Sequence, residues 1–166
     1  MRYRRCLVAA DGWYEWKVTP AGKILTLIQR IGAGGEIVPF YFAGLWASWR
    51  PKDQADADWL ETFTILTRAA CPELQEIHDR MPVVLPHDAY DAWLDRGATD
   101  GAAAATLLES AVLEGFAHYP VSARDLSGSL RGRRRHRMWL IPASAPTNNY
   151  CKTQFSTTSA GTRAKA

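Results

Sequence analysis

Apolar and polar positions alternate with a period of two along much of the first half of the chain, and that period predicts strands. Between Lys23 and Arg30, Leu25 and Leu27 fall on one face and Ile24, Thr26 and Ile28 on the other. Cys6 to Ala10 is a continuous apolar run fit for a buried strand, and Trp13 to Lys17 is an aromatic-rich extended segment. Thr19-Pro20-Ala21-Gly22 reads as a turn, and Gly32-Ala33-Gly34-Gly35 closes the hairpin. Val38 to Trp49 is a long aromatic strand whose Gly44 marks either a bulge or a point of close approach. Pro51 to Asp58 is polar and reads as a loop. Thr62 to Thr67 and Val83 to Leu85 return to strand character.

Helical signals come later. Pro72 suits the first position of a short helix through Ile77, with Glu73 in its first turn. His78 then falls at the C-terminal end, where the partial negative charge favours imidazolium. Asp88 to Asp95 pairs Ala89 with Trp93 on one face. Asp100 caps a second helix, Gly101 to Glu114, which Gly115 stops. His118 to Arg124 is the last strand expected. The sum is a β-rich α+β domain, with a mixed or antiparallel sheet or an open barrel and a few helices set to one side.

Composition divides the chain in two. Residues 1–124 carry the periodic elements. Residues 125–166 hold an arginine run and then a Pro-, Ser-, Thr- and Asn-rich tail, with Cys151 to Ala166 expected to be disordered. From Arg124 to Arg137 six arginines face one acid, so this segment carries +5 and the remainder −2 of the net +3. The 166 residues, 47% hydrophobic, suffice for one compact domain. No apolar run approaches the roughly 20 residues of a membrane span, and no basic-then-apolar leader opens the chain. Cys6, Cys71 and Cys151 lie far apart with no C-x-x-C, which sets aside a disulfide scaffold and a zinc site. A reducing cytoplasm is the expected compartment, and no membrane, cofactor or metal is expected.

Two stretches carry candidate chemistry. Glu15 sits among Trp13, Tyr14 and Trp16, where poor solvation raises a carboxyl pKa. His78 stands beside Asp79 and Arg80, just before a proline-bounded apolar run. Together they form a candidate acid–base pair if the fold joins them. On their own, Glu15 also reads as a strand-edge carboxylate and His78 as a helix cap. Asp79 reads as the pin of a turn, and Arg80 as an ion-pair partner of Asp79 or of a nearby glutamate. Cys71 before His78 lacks the further members of a Cys–His protease, and His78 with His87 matches no metal-ligand spacing. Trp13 and Trp16 offer a stacking face to a base. The Arg131 to Arg137 cluster is either a phosphate grip or an unpaired basic loop.

Arg5-Cys6-Leu7 and Ala10-Asp11-Gly12-Trp13-Tyr14-Glu15-Trp16 resemble the SRAP family, the SOS-response-associated peptidases. So do Phe40 to Trp49, Thr62 to Thr67, Ile77-His78-Asp79-Arg80-Met81-Pro82, and Tyr119-Pro120-Val121-Ser122, in the family's order. The resemblance covers residues 1 to 124. It implies a self-processing, lyase-like protein of the DNA damage response that recognises abasic sites in single-stranded DNA. In such proteins an N-terminal cysteine exposed by loss of the initiator methionine closes a thiazolidine with the opened sugar. By motif, Glu15 matches the glutamate that moves protons at the amine and imine, and His78 the histidine that assists ring opening. Thr67 and Arg80 match positions lining the site, Arg80 on a phosphate. The partner implied is abasic single-stranded DNA, bound by a nucleoid-associated monomer. The chain opens Met1-Arg2-Tyr3, however, where the family opens Met-Cys-Gly-Arg, and past Pro-Val-Ser the arginine run replaces a further strand. The expectation is therefore a chain without the crosslinking cysteine, as from a truncated or frame-disrupted gene. Internal Cys6 has no α-amine to substitute for it. The alternative is a non-catalytic single-stranded DNA-binding module or an inactive fragment.

Overall fold

The computed structural model describes residues 4–54, 56–122, 139–142, 154–158 and 161–165. Strand β1 (Arg5–Ala10) lies inside a five-stranded antiparallel sheet. On one side it pairs with β10 (Trp139–Pro142) and on the other with β4 (Phe40–Trp49). Beyond β4 come β5 (Leu60–Ile65) and the short β8 (Val84–Leu85). A second antiparallel sheet has the order β2 (Trp13–Thr19), β3 (Gly22–Arg30), β9 (Phe116–Pro120). Two smaller pairs are β6 (Thr67–Ala69) with β7 (Arg80–Pro82), and β11 (Gln154–Thr158) with β12 (Gly161–Lys165). A single 3-10 turn, His87–Ala89, runs into α1 (Tyr90–Leu94), and α2 (Gly101–Glu109) follows. This is the expected α+β class. The sheets are antiparallel and do not close into a barrel.

Strand β1 is apolar at nearly every position because both of its faces are covered. Cys6, Val8 and Ala10 join Trp13, Ile28, Phe40, Phe42 and Phe116 in a core between the two sheets. Leu7 packs with Ala43, Leu85, Trp93 and Ala104 in a second core that includes the helices. Arg5 stitches the helical side to the strand. Its buried guanidinium donates to the carbonyls of Asp95 and Ala98 and lies 5.6 Å over the Trp93 ring. Asp95 is the C-cap of α1, so the charge meets carbonyls that the helix leaves open. The Trp93 indole donates to the Cys6 carbonyl at 2.9 Å.

Several expectations change. Residues 72–77 form successive turns, not a helix, with Leu74 and Gln75 both bonding the Cys71 carbonyl. No helix dipole therefore acts on His78. Helix α2 has its Asp100 cap, bonded to the Ala102 amide at 2.9 Å. It stops at Glu109 because the Val112 amide leaves to bond the Val84 carbonyl. The strand expected from His118 to Arg124 instead runs from Phe116 to Pro120, after Gly115 turns the chain at φ +78°, and it is not the last, since β10, β11 and β12 follow. Within the stretch expected to be disordered, β11 and β12 pair as a hairpin. The Arg131 to Arg137 cluster lies outside the described residues.

Gly44 resolves to close approach. Its pairing with Cys6 and Ile65 is regular, without a bulge. A Cβ there would sit 2.8 Å from Cys6 Sγ, 3.1 Å from Val8 Cγ2 and 3.3 Å from the Thr64 carbonyl oxygen. Gly44→Ala is expected to cost about 1–3 kcal/mol in urea unfolding, as overpacking does. Cys6→Ala in the same chain should return part of that loss, because it removes the nearest clashing atom. Purely additive effects of the two substitutions would show that the thiol is not what fills the space.

Candidate functional site

Trp13, Glu15 and Lys17 alternate onto one face of β2. Register places Glu15 opposite Thr26 of β3 and Trp13 opposite Ile28. This face looks into the core at the Trp13 end and toward solvent at the Lys17 end, with Glu15 between. Burial raises the Glu15 pKa above the usual carboxylate value. The charge of His78 and a hydrogen bond from the Trp16 amide offset part of the rise. His78 is thus close enough to Glu15 to act on it through space. Glu15 belongs to β2 and His78 to the turns before β7, so the two come from distant parts of the chain.

His78 is carried on the run of turns after Cys71. Leu74 and Ile77 bury themselves in the core between the sheets, at 2% and 5% exposure, and fix the turns in place. The Glu73 carboxylate accepts the Phe116 amide at 3.3 Å, and Glu76 contacts Lys17 and His118. The His78 ring meets two groups at one atom. Nδ1 accepts the Arg80 amide at 3.0 Å and also lies 3.0 Å from Asp79 Oδ1. These contacts exclude each other in proton terms. A neutral ring that accepts the amide carries its hydrogen on Nε2, whereas the charged ring donates Nδ1–H to Asp79. In either state Nε2–H is the ring's remaining donor.

Arg80 and Thr67 also meet, across the β6–β7 pair. Arg80 Nε donates to Thr67 Oγ1 at 3.1 Å, and Nη2 donates to Thr67 Oγ1 and to its carbonyl, both at 2.8 Å. The guanidinium is exposed, and its Nε and Nη2 contacts hold it in one orientation. Such a fixed fork suits a phosphate oxygen.

Trp13 does not do what its sequence context suggests. It is 8% exposed and perpendicular to Phe40, Phe42 and Phe116 at centroid distances of 5.9, 5.8 and 5.5 Å. No face of its ring is open to a base, because alternation turns it to the same side as Glu15 but one row deeper in the core. Trp16, on the other face and 45% exposed, is the open indole of this strand. Cys6 is fully buried and its thiol is pushed up to about 12 by that burial. Burial also raises the Cys71 thiol pKa. Neither is an activated nucleophile. Local sequence reasoning missed Lys17, Glu76 and His118, since their grouping depends on three elements distant in the chain. Among the described residues no cluster of three or more His, Cys, Asp or Glu side chains is placed to hold a metal, and no helix is long and apolar enough to cross a membrane.

Comparison with known proteins places these features in a family. The family model described as SOS response associated peptidase (SRAP) matches residues 1–124. The abasic site processing protein YoqW of Bacillus subtilis (strain 168) is 33% identical over 121 residues, which are 72% of this chain and 51% of YoqW. The abasic site processing protein HMCES of Xenopus tropicalis is 30% identical over 133 residues, 72% of this chain and 38% of HMCES. A crystal structure of a Bacteroides thetaiotaomicron protein superposes with a TM-score of 0.65 at 27% identity, over 77% of this chain and 53% of that one. The chain spans about half the length of YoqW and less of HMCES.

The raised pKa of Glu15 has a thermodynamic signature. A carboxyl whose folded pKa lies above its unfolded one contributes stability that is fully present below the unfolded pKa. That stability is lost as pH rises through the folded pKa. Glu15→Gln removes the ionisation, so at pH 7 the variant is expected to melt higher than the parent, by about 1–3 °C. The gap should close on acidification to about pH 4. Parallel melting curves across this range, or a parent that melts higher at neutral pH, would count against a desolvated Glu15.

Proposed function

Because the chain belongs to the SOS response associated peptidase (SRAP) family, we propose that it binds single-stranded DNA at abasic sites, with Glu15 and His78 as its acid–base pair. The single observation that supports this reading is a half-buried Glu15 carboxyl, its pKa raised by burial, that feels the charge of His78. The names of YoqW and HMCES support the choice of abasic DNA as substrate.

The geometry suggests how the work is divided. An abasic deoxyribose rests as a cyclic hemiacetal. Opening it requires a proton on the ring oxygen and removal of one from the C1′ hydroxyl. His78 in its charged form, with Nδ1–H held by Asp79, donates the Nε2 proton to the ring oxygen and becomes neutral, while ionised Glu15 accepts the hydroxyl proton. The C1′–O4′ bond breaks, and an aldehyde and a free 4′-hydroxyl form with no net gain or loss of protons. Arg80, braced by Thr67, holds a neighbouring phosphate and so fixes the sugar between the two groups.

A second reading follows from the cysteines. Cys6 and Cys71 are buried thiols with raised pKa values, so neither supplies a nucleophile to the aldehyde. Recognition without covalent capture, a single-stranded DNA-binding module, is the form of the function that these residues allow. Denaturing mass spectrometry after incubation with an abasic oligonucleotide is therefore expected to show no adduct at Cys6 or Cys71.

Ring opening and mere binding separate in one experiment. The small aldehyde reagent O-methylhydroxylamine labels an abasic strand only when the sugar is open. The protein should raise the labelling rate about tenfold or more, and Glu15→Gln and His78→Ala should each abolish the gain while still binding the strand by anisotropy. Arg80→Ala should instead weaken binding about tenfold and flatten its salt dependence. Binding with a labelling rate no better than DNA alone would leave only the module. No preference for single-stranded abasic DNA over duplex would remove both readings.

A further inference from the structure

Lys17 and His118 stand on the same face of the three-stranded sheet as Glu15, on its two outer strands. Register puts His118 in the row of Ile28 and Trp13, and Lys17 two rows away opposite Ile24. The row between holds Glu15 and Thr26. One carboxylate reaches both outer rows. Lys17 Nζ lies 2.8 Å from Glu76 Oε2, and His118 Nε2 lies 3.4 Å from Glu76 Oε1. Glu76 therefore spans the middle row, beside Glu15. Its hydrogen bond and charge contact with Lys17 hold its pKa below the usual carboxylate value, so it is an anion at neutral pH.

The turn that bears Glu76 has other anchors: Leu74 and Ile77 in the core, and Glu73 on the Phe116 amide. More than half of the Glu76 side chain is open to solvent, so it can leave without unpacking the core. Two carboxylate oxygens, each facing a different nitrogen donor, present the same pair of acceptors as the two non-bridging oxygens of a phosphodiester.

We propose that Lys17 and His118 form a second phosphodiester subsite for single-stranded DNA, beside Glu15, which Glu76 occupies in the free protein as an internal competitor. The inference rests on the single-stranded DNA reading above and adds where the strand runs beyond the reacting sugar. Binding exchanges a carboxylate for a phosphate at the same donors, and no covalent bond changes. Because Glu76 already neutralises Lys17, a phosphate arriving there releases few counterions. Glu76 thus lowers both the affinity and the salt dependence of binding.

Anisotropy of a fluorescent, undamaged oligothymidylate at several salt concentrations tests this. Glu76→Gln is expected to bind about fivefold tighter than the parent at low salt, with a salt slope steeper by about 0.7, the value of one added phosphate contact. Lys17→Met in the Glu76→Gln background should remove the gain. Glu109→Gln, an equal charge change at the end of α2, should give a much smaller one. The proposal falls if Glu76→Gln binds no better than the parent, if Glu109→Gln matches it, if the gain survives Lys17→Met, or if neither protein binds. A Glu76 effect with no preference for abasic strands would remove the abasic reading and keep this subsite. An abasic preference with no Glu76 effect would do the reverse.

Discussion

Leu74 and Ile77 enter the core from a stretch that is neither helix nor strand, and the position of His78 depends on them. Turns with few internal hydrogen bonds have little stability of their own. Here two apolar side chains, each contributing on the order of 1.5–3 kcal/mol on burial, hold the loop against the sheet. The Glu73 carboxylate, accepting the Phe116 amide, then sets its orientation. The turns that bear the imidazole are thereby anchored while its ring stays open to solvent. A rigid scaffold that carries an exposed reactive group is the usual arrangement for a binding site.

The same face shows how a sheet grades polarity. At one end Trp13, Ile28 and Phe116 are dry. At the other, Lys17 and Glu76 are wet enough to form an ion pair whose strength depends on salt. Glu15 stands at the boundary, where its ionised form costs more than it would in water but can still be reached. That placement sacrifices some stability at neutral pH, a cost that proteins commonly accept at sites of proton transfer.

Much of this was legible in the chain itself. Strands β1 to β5 follow from runs and alternations of apolar residues, and Glu15, His78, Thr67 and Arg80 each sit in a compact local motif. What escaped was set by distant partners. The apolar spacing of Leu74 and Ile77 suits a helix, but the turns form because both side chains must reach one core while the chain returns to β7. Helix α2 ends early because β8 offers the Val112 amide a carbonyl. Trp13 and Trp16 look alike in sequence, and only the direction of alternation relative to the core separates the buried ring from the open one. The Lys17, Glu76 and His118 group leaves no local trace, since each residue is ordinary on its own strand or turn.

The two layers differ in how their central residues are paired. Strand β1 has a neighbour on each side, whereas β2, which carries Glu15, pairs only with β3 among the described strands. Amide deuteration should therefore be slowest along Cys6 to Ala10 and faster at the outward amides of Trp13 to Thr19. The Glu15 carboxyl thus rides on a strand with one unpaired edge among the described strands, while β1 is paired on both sides. Admitting a polymer need not melt the protein.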